Sequence, residues 1–182
     1  GVYASGGVIE NCLFSGNGTL NGGLCSGGAI LAAGNAAVIN CTVVDNRTVA
    51  DAYHNGFNTG YATNSIICGH SNTDVSGCKA LVNCFWQEDL VTHGGEDASV
   101  DAAVNCIHGR GLDPRFVKRP TEGQCGFSIR AGSPCVDAGA EHPWMATAKD
   151  ILGNDRIYRL SKTVDIGACE CSYIPGMMLI FR

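Results

Sequence analysis

The stretch Val38-Ile39-Asn40-Cys41-Thr42-Val43-Val44 decides the fold of this chain, because β-branched residues, which favour strands, surround its central Asn-Cys step. The step recurs along the chain, once as Asn-Ser. Its Asn residues, which we call the rung Asn residues, are Asn11, Asn40, Asn64, Asn83 and Asn105. Successive rung Asn residues lie 29, 24, 19 and 22 positions apart. A strand that returns at this spacing is typical of a solenoid with coils of about 20 to 30 residues.

Composition supports the same architecture. The 182 residues include 25 Gly but only five Pro, and 16% of them are charged. Tight turns between short apolar strands need many glycines, because glycine adopts positive φ without strain. We therefore predict an all-β fold, a parallel β-helix, over residues 1–108.

Four of the 11 cysteines follow a rung Asn: Cys12, Cys41, Cys84 and Cys106. Stacked at about 4.8 Å per coil with parallel Cβ vectors, these side chains are poorly arranged for disulfides. We interpret them as small core hydrophobes. The total is odd, and the other seven cysteines lie in turns or near the C-terminus, where disulfides could form: Cys25, Cys68, Cys78, Cys125, Cys135, Cys169 and Cys171.

Strand alternation gives two alternatives for the rung. If the cysteines point inward, the Asn residues face outward, and the inner set is Ile39, Val43, Ile67, Val82, Trp86 and Val104. Glu10 would then also point inward, and an outer apolar strip of Leu13, Ile66, Phe85 and Ile107 would need cover from an insertion or from the C-terminal region. Alternatively, the Asn residues form an internal amide ladder. We favour inward cysteines.

The repeat stops at Gly109, where Gly, Pro and Asp begin to punctuate short apolar runs. An open parallel stack exposes unpaired backbone groups, so we interpret residues 109–182 as a C-terminal capping region. The chain begins within what looks like a coil. We expect either missing N-terminal coils or a partner chain to cover that first coil.

Charge and hydropathy exclude several classes of partner. The net charge of −5 and the lack of a basic cluster argue against nucleic-acid binding. No apolar run approaches the roughly 20 residues that span a bilayer, so the chain is not expected to span a membrane.

Four ordered motifs in the C-terminal region carry a family resemblance. They are Asp113-Pro114-Arg115-Phe116-Val117, Ser133-Pro134-Cys135-Val136-Asp137-Ala138-Gly139, Asp150-Ile151-Leu152-Gly153-Asn154-Asp155-Arg156 and Val164-Asp165-Ile166-Gly167-Ala168-Cys169-Glu170. This pattern closely resembles the C-terminal end of bacterial right-handed parallel β-helix proteins with a choice-of-anchor Q domain. The resemblance implies a secreted or surface-attached protein whose architecture is similar to that of pectate lyases.

The acidic residues of these motifs invite a catalytic interpretation, but we favour a structural one. Asp137, Asp150 and Asp165 occupy positions typical of turns. Arg156 is a plausible ion-pair partner for Asp165 or Glu170 and would fasten the cap.

The aromatic and polar loop after the second rung is the candidate for sugar contact: Tyr53, His54, Asn55, Phe57, Asn58 and Tyr61. Aromatic faces and amides suit pyranose rings and hydroxyls. The alternative is a loop that packs its own aromatic residues onto the adjacent coil.

Catalysis is left open. A polysaccharide lyase would need a base and a carboxylate-neutralising cation, for which the coils offer Arg47, Lys79, His54 and His70, with Ca²⁺ ligands in Asp45, Asp51 and Asp74. A glycoside hydrolase would need paired carboxylates, such as Asp45 with Asp74. No resident metal is predicted, because the spacing of the cysteines matches no common zinc site.

The sequence thus predicts an extracellular or cell-surface protein that binds or processes a polysaccharide along the solenoid flank. A non-catalytic structural or adhesive surface module is the alternative.

Overall fold

The fold is an all-β parallel β-helix in which three parallel sheets run along the stack of coils. The computed structural model describes residues 1–19, 28–48, 56–70, 73–87, 100–117, 126–157 and 163–171. The prediction of an all-β parallel solenoid is confirmed, and no α-helix occurs in these ranges. One short 3-10 helix spans Pro143–Ala146.

Successive strands of each sheet come from successive coils, over four coils in the first sheet and five in the second and third. The first sheet contains β1 (Val2–Ala4), β5 (Ile30–Ala32), β9 (Phe57–Asn58) and β12 (Val75–Ser76). The second contains β2 (Val8–Glu10), β6 (Ala37–Ile39), β10 (Tyr61–Thr63), β13 (Ala80–Val82) and β15 (Ala103–Val104). The third contains β3 (Leu13–Ser15), β7 (Thr42–Val44), β11 (Ile66–Cys68), β14 (Phe85–Trp86) and β16 (Ile107–His108). A fourth pair, β4 (Gly18–Thr19) with β8 (Arg47–Thr48), joins the first two coils.

The rung motif is a corner between two strands and not the middle of one strand. Each rung Asn follows a strand of the second sheet and precedes one of the third. All five adopt the left-handed conformation, with φ between 48° and 54°. Asn is among the few non-glycine residues that tolerate this region, which explains its recurrence at the corner.

The residue after each rung Asn points inward and satisfies backbone groups at the corner. Cys12, Cys41, Ser65, Cys84 and Cys106 each donate a hydrogen bond to the carbonyl two positions earlier, at 3.1, 3.3, 2.9, 3.4 and 3.4 Å. Two of these side chains also accept the N–H of the preceding coil's corner: Ser65 Oγ from Cys41 at 3.2 Å, and Cys106 Sγ from Cys84 at 3.5 Å. The inward cysteines are therefore confirmed, but they act as hydrogen-bonding groups as well as core hydrophobes.

The corner interrupts the alternation of inward and outward side chains that a continuous strand would carry through it. After the corner, Val43, Ile67 and Trp86 lie in the core, as predicted. Before it, the predictions are wrong: Ile39, Val82 and Val104 face away from the core, and the inward positions are Val38 and Leu81. Glu10 is likewise exposed rather than internal.

The C-terminal region covers the outer face of the third sheet. Val44, Ile66, Cys68 and Phe85 form a second apolar cluster with residues of that region, including Ile129, Cys135 and Ile166. Leu13 and Ile107 pack against this cluster. The predicted outer strip therefore exists, and the C-terminal region covers it. The described part of this region lies along the flank of the stack, from the first coil to the fifth.

Candidate functional site

The outer face of the second sheet carries exposed side chains among the described residues. The middle residue of each strand points inward, so the first and last residues form two outward rows. Register aligns Tyr61 with Ala37 and Ala80 in one row, and Thr63 with Ile39 and Val82 in the other. At the two ends of this face, Val8 is 58% exposed and Val104 is 49% exposed. The described side chains of this face are mainly small or apolar.

Tyr61 is the aromatic residue of this face, and its side chain is 39% exposed. The Lys79 ammonium lies 5.5 Å from the centre of the Tyr61 ring. Lys79 Nζ also donates to the Gly34 carbonyl oxygen at 2.6 Å, which fixes the ammonium beside the ring. An aromatic ring with a fixed cation over one face can contact a sugar ring with its other face, and the cation favours acidic or hydroxyl substituents.

The other candidate residues for sugar contact are arranged differently. Phe57 is 1% exposed and lies in the solenoid core, so its ring is not available to a ligand on the surface. Asn58 is 6% exposed. Tyr53, His54 and Asn55 lie outside the described residues. Tyr61 thus remains as the accessible described member of the predicted set.

His70 and Asp74 form a buried pair and not an open catalytic dyad. His70 Nδ1 lies 2.8 Å from Asp74 Oδ1, and both side chains are 0% exposed. Asn46 Nδ2 lies 3.2 Å from His70 Nε2, so the ring accepts from Asn46 while its Nδ1–H donates to Asp74. Asp74 Oδ2 accepts the Gln87 N–H at 2.9 Å. These polar groups satisfy one another inside the stack and tie neighbouring coils together.

The remaining lyase and hydrolase candidates do not join this pair. Asp45 is exposed in a turn with φ of 53°, whereas Asp74 is buried. The two carboxylates therefore do not face a common substrate site. Arg47 is exposed, and Asp51 and His54 lie outside the described residues. Within the described ranges, no three His, Cys, Asp or Glu side chains gather as metal ligands.

A fully buried arginine fastens the C-terminal region to the corners of the solenoid. Arg156 Nη1 contacts Glu170 Oε1 at 2.8 Å and the Gly167 carbonyl oxygen at 2.9 Å. Its Nη2 reaches the Ala168 and Asn40 carbonyl oxygens at 3.1 and 3.3 Å. Its Nε donates to Asn11 Oδ1 at 2.8 Å. The ion pair expected of Arg156 is therefore made with Glu170, and the guanidinium also bonds to two rung Asn residues.

Three rung Asn residues, Asn40, Asn64 and Asn83, are buried although they lie outside the core, whereas Asn105 is exposed. The Asn64 side chain pairs with the backbone of Ala140, donating to its carbonyl oxygen at 2.7 Å and accepting its N–H at 2.8 Å. Asn11 Nδ2 donates to the Lys149 carbonyl oxygen at 2.8 Å. Asn64 Nδ2 also lies 3.3 Å from Asn40 Oδ1, a single step of an amide ladder. Asn11, Asn40 and Asn64 thus serve as attachment points for the C-terminal region.

The remaining acidic residues of the C-terminal motifs brace turns. Asp150 Oδ1 accepts the N–H groups of Leu152 and Asn154, both at 2.8 Å. Asp165 accepts the N–H groups of Asp137 and Cys171 at 2.7 and 2.6 Å. Asp137 adopts a φ of 54° and bonds to the Thr163 hydroxyl. These contacts occupy the carboxylates with backbone groups and leave them no visible role in catalysis.

Burial raises the pKa of Glu170 to about 8, with a further increase from Asp165 and an opposing effect of Arg156. The folded state therefore holds a proton that the unfolded chain loses near pH 4.5. The protonated Glu170 side chain therefore stabilises the fold fully below pH 4.5. This stabilisation is lost as the pH rises through about 8. Burial also raises the pKa of Asp165, in the same direction.

We expect the melting temperature to fall between pH 5 and pH 9, and Glu170→Gln to flatten that dependence. Thermal unfolding at several pH values across this range measures the pH dependence of the melting temperature. Glu141→Gln is the control, because Glu141 is exposed in the same region. If the melting temperature of Glu170→Gln changed with pH as steeply as that of the parent chain, the pH dependence would not come from Glu170.

Comparison of the chain with protein-family models, with curated proteins and with solved structures finds no match. No helix among the described residues is long and apolar enough to cross a membrane. The function therefore has to be argued from the geometry of the flank.

Proposed function

We propose that this chain is part of an extracellular or cell-surface β-helix protein that binds a polysaccharide along the outer face of its second sheet. We further propose that it belongs with the bacterial β-helix proteins that carry a choice-of-anchor Q type C-terminal domain. The observation that carries the binding proposal is the exposed Tyr61 ring, with Lys79 held over one of its faces, on the outer side of the second sheet.

The shape of the flank supports a long, regular ligand. Parallel strands repeat at about 4.8 Å, so the five strands of the second sheet present a surface with a regular repeat. Small outward side chains such as Ala37, Ala80 and Thr63 let a chain of sugar rings approach the backbone. Tyr61 and Lys79, in the middle of this face, supply ring stacking and a positive charge, which favours a polysaccharide with acidic substituents.

Binding is better supported than cleavage. The buried His70–Asp74 pair uses its polar atoms on Asn46 and Gln87, and Asp45 lies apart from it. Lys79 donates to Gly34. A lyase or hydrolase activity would have to use residues beyond these.

The first test is a glycan-array screen of the purified chain with Ca²⁺ present, followed by affinity measurements on each hit. We expect Tyr61→Ala to weaken binding about 5-fold or more, because loss of one stacked ring costs about 1 to 3 kcal/mol by analogy with base stacking on aromatic side chains. Tyr3→Ala is the matched control, since Tyr3 is exposed on the first sheet. Equal affinity of Tyr61→Ala and the parent chain would contradict a site at Tyr61.

A structural or adhesive surface module is the second candidate. It is favoured by the mainly apolar character of the face, including the exposed Val8 and Val104. Absence of binding to any acidic or neutral glycan on the array would favour this candidate over glycan binding.

A further inference from the structure

A cavity of about 400 Å³ lies within the C-terminal region. Four segments of that region line it, represented by Val117, Arg130, Leu152 and Glu170. Pockets that hold small molecules have volumes of about 300 to 1,000 Å³. The cavity is therefore large enough for a small organic ligand.

Part of the cavity wall consists of apolar side chains that remain exposed. Val117 is 38% exposed and Leu152 is 44% exposed, although both are large hydrophobic residues. Ala131 lies beside them in the same wall. Exposed apolar side chains that meet in a concave surface are typical of ligand sites, whereas scattered ones are ordinary. This wall therefore offers contact area to the apolar part of a ligand.

Arg130 supplies a positive charge at the cavity wall. Ile129 packs into the second apolar cluster, so the residues on either side of it, Ser128 and Arg130, leave the backbone on the outer side. The Arg130 side chain is exposed, and among the described residues no carboxylate forms an ion pair with it. A guanidinium group presents a planar fork of donors that matches the two oxygens of a carboxylate.

A second guanidinium group belongs to the residue opposite Arg130. Phe116 and Ile129 form an antiparallel bridge, and the Arg130 N–H donates to the Arg115 carbonyl oxygen at 3.0 Å. Like charges at opposite positions destabilise a strand pair, so fold stability does not explain two arginines here. Arg115 also adopts a φ of 55°, and strained residues of this kind cluster at ligand sites. A bound anion would offset the repulsion between the two arginines.

The acidic residues nearby do not neutralise this positive charge. Glu170 lines the cavity, but its Oε1 bonds to Arg156 and its Oε2 accepts the Asp165 N–H at 3.0 Å. Burial raises the pKa of Glu170 to about 8, so its side chain is mostly protonated at neutral pH and repels an anion little. Asp113 accepts the backbone N–H of Arg115 at 2.7 Å and forms no ion pair among the described residues.

We propose that this cavity binds a small organic acid, with the ligand carboxylate at Arg130 and the apolar body of the ligand against Val117 and Leu152. An inorganic anion would satisfy the charge but leave the apolar wall uncovered. The site goes beyond polysaccharide binding at Tyr61 and does not depend on it, because the two surfaces share no residue.

Two matched pairs of variants test the two parts of the site. Arg130→Gln removes the positive charge, and Arg110→Gln is its control, because Arg110 is exposed in the same region but does not line the cavity. Leu152→Ser removes part of the apolar wall. Its control is Ile151→Ser, because Ile151 is the adjacent residue, is 36% exposed and lies outside the cavity lining.

The experiment is an NMR titration of the ¹⁵N-labelled chain at pH 7 with hexanoate, benzoate and 3-phenylpropanoate, each compared with its neutral amide. For at least one acid we expect saturable shifts of the backbone amides of residues 128–131 and 152–154. The corresponding amide should bind about 5-fold more weakly or not at all, because it lacks the charge that strengthens a hydrogen bond to Arg130.

Arg130→Gln and Leu152→Ser should each weaken binding of that acid by about 5-fold or more, while both control variants bind it as the parent chain does. The same spectra show whether each variant is folded, and Arg130→Met takes the place of Arg130→Gln if the latter is not. The proposal is overturned if no acid gives saturable shifts at the cavity, or if the amide binds as tightly as the acid. Equal affinity of the Arg130 and Arg110 variants, or shifts confined to the surface around Tyr61, would also overturn it.

Discussion

Arg156→Met is expected to destabilise the fold by about 3 to 5 kcal/mol at a pH above about 8, where Glu170 is ionised and the cost is that of removing one partner from a buried ion pair. Arg156 is 0% exposed and donates to Glu170, Asn11 and two carbonyl groups of the C-terminal region. Methionine fills part of the volume but leaves these acceptors buried without their donor. Urea unfolding followed by circular dichroism measures the change in the free energy of unfolding.

The Lys149–Asp155 pair provides the control for Arg156. Its nitrogen and oxygen lie 2.5 Å apart, but the two side chains are 56% and 53% exposed. Exposed ion pairs contribute about 0 to 1 kcal/mol, so Lys149→Met should have little effect. A cost below about 1 kcal/mol for Arg156→Met, similar to that of Lys149→Met, would contradict the role of Arg156 as the fastener of the C-terminal region.

Ser65→Ala is expected to destabilise the fold by about 1 to 3 kcal/mol, because it leaves the Cys41 N–H buried without an acceptor. Ser65 is itself 0% exposed, so water cannot replace the lost hydroxyl without a rearrangement. The Thr63 carbonyl oxygen keeps a second donor, the Asn40 N–H at 3.0 Å. The expected cost therefore comes mainly from one orphaned donor.

Ser65→Cys is the matched substitution, because cysteine occupies the equivalent corner in the other four coils. It should cost clearly less than Ser65→Ala, as measured by the same urea unfolding. If alanine were tolerated as well as cysteine, the inward side chain would be only a space filler, and the hydrogen-bonding account of the rung would be wrong.

The solenoid could be predicted from the sequence because its corner needs two unusual properties at adjacent positions. The rung Asn must tolerate positive φ, and the next residue must be small while also donating and accepting hydrogen bonds. Few residue types meet these demands, so the Asn-Cys and Asn-Ser steps recur visibly.

The orientation of the strand before the corner could not be predicted in the same way. Alternation carries inward and outward positions along a continuous strand, but a left-handed residue such as Asn40 interrupts it. Continuous alternation therefore predicts the inward side chain of Val43 correctly. It predicts Ile39, on the other side of the corner, wrongly. The sequence does contain a signal for the corner, because Asn tolerates positive φ better than most residues do. The inward positions follow only once the Asn is recognised as a corner between two strands.

The candidate site was predictable only in part. Tyr61 belongs to an aromatic group in the sequence, yet its neighbour Phe57 has the same character and is buried. The pairing of strands on adjacent coils decides whether Tyr61 or Phe57 faces outward. Local composition does not show this pairing. The bond of Arg156 to Asn11 joins residues 145 positions apart, and only the path of the C-terminal region along the flank brings them together.

Hydroxyl-radical footprinting with mass spectrometry, on the chain alone and with a glycan selected on the array, tests the central claim most directly. It reports side-chain exposure on both flanks at once. In the free chain, Tyr61 on the second sheet should be modified, whereas Phe85, buried under the C-terminal region, should be protected. Bound glycan should protect Tyr61 and leave the exposed Tyr3 on the first sheet unchanged. An unmodified Tyr61 in the free chain, or modification of Tyr61 that bound glycan does not reduce, would contradict the assignment of this flank as the binding surface.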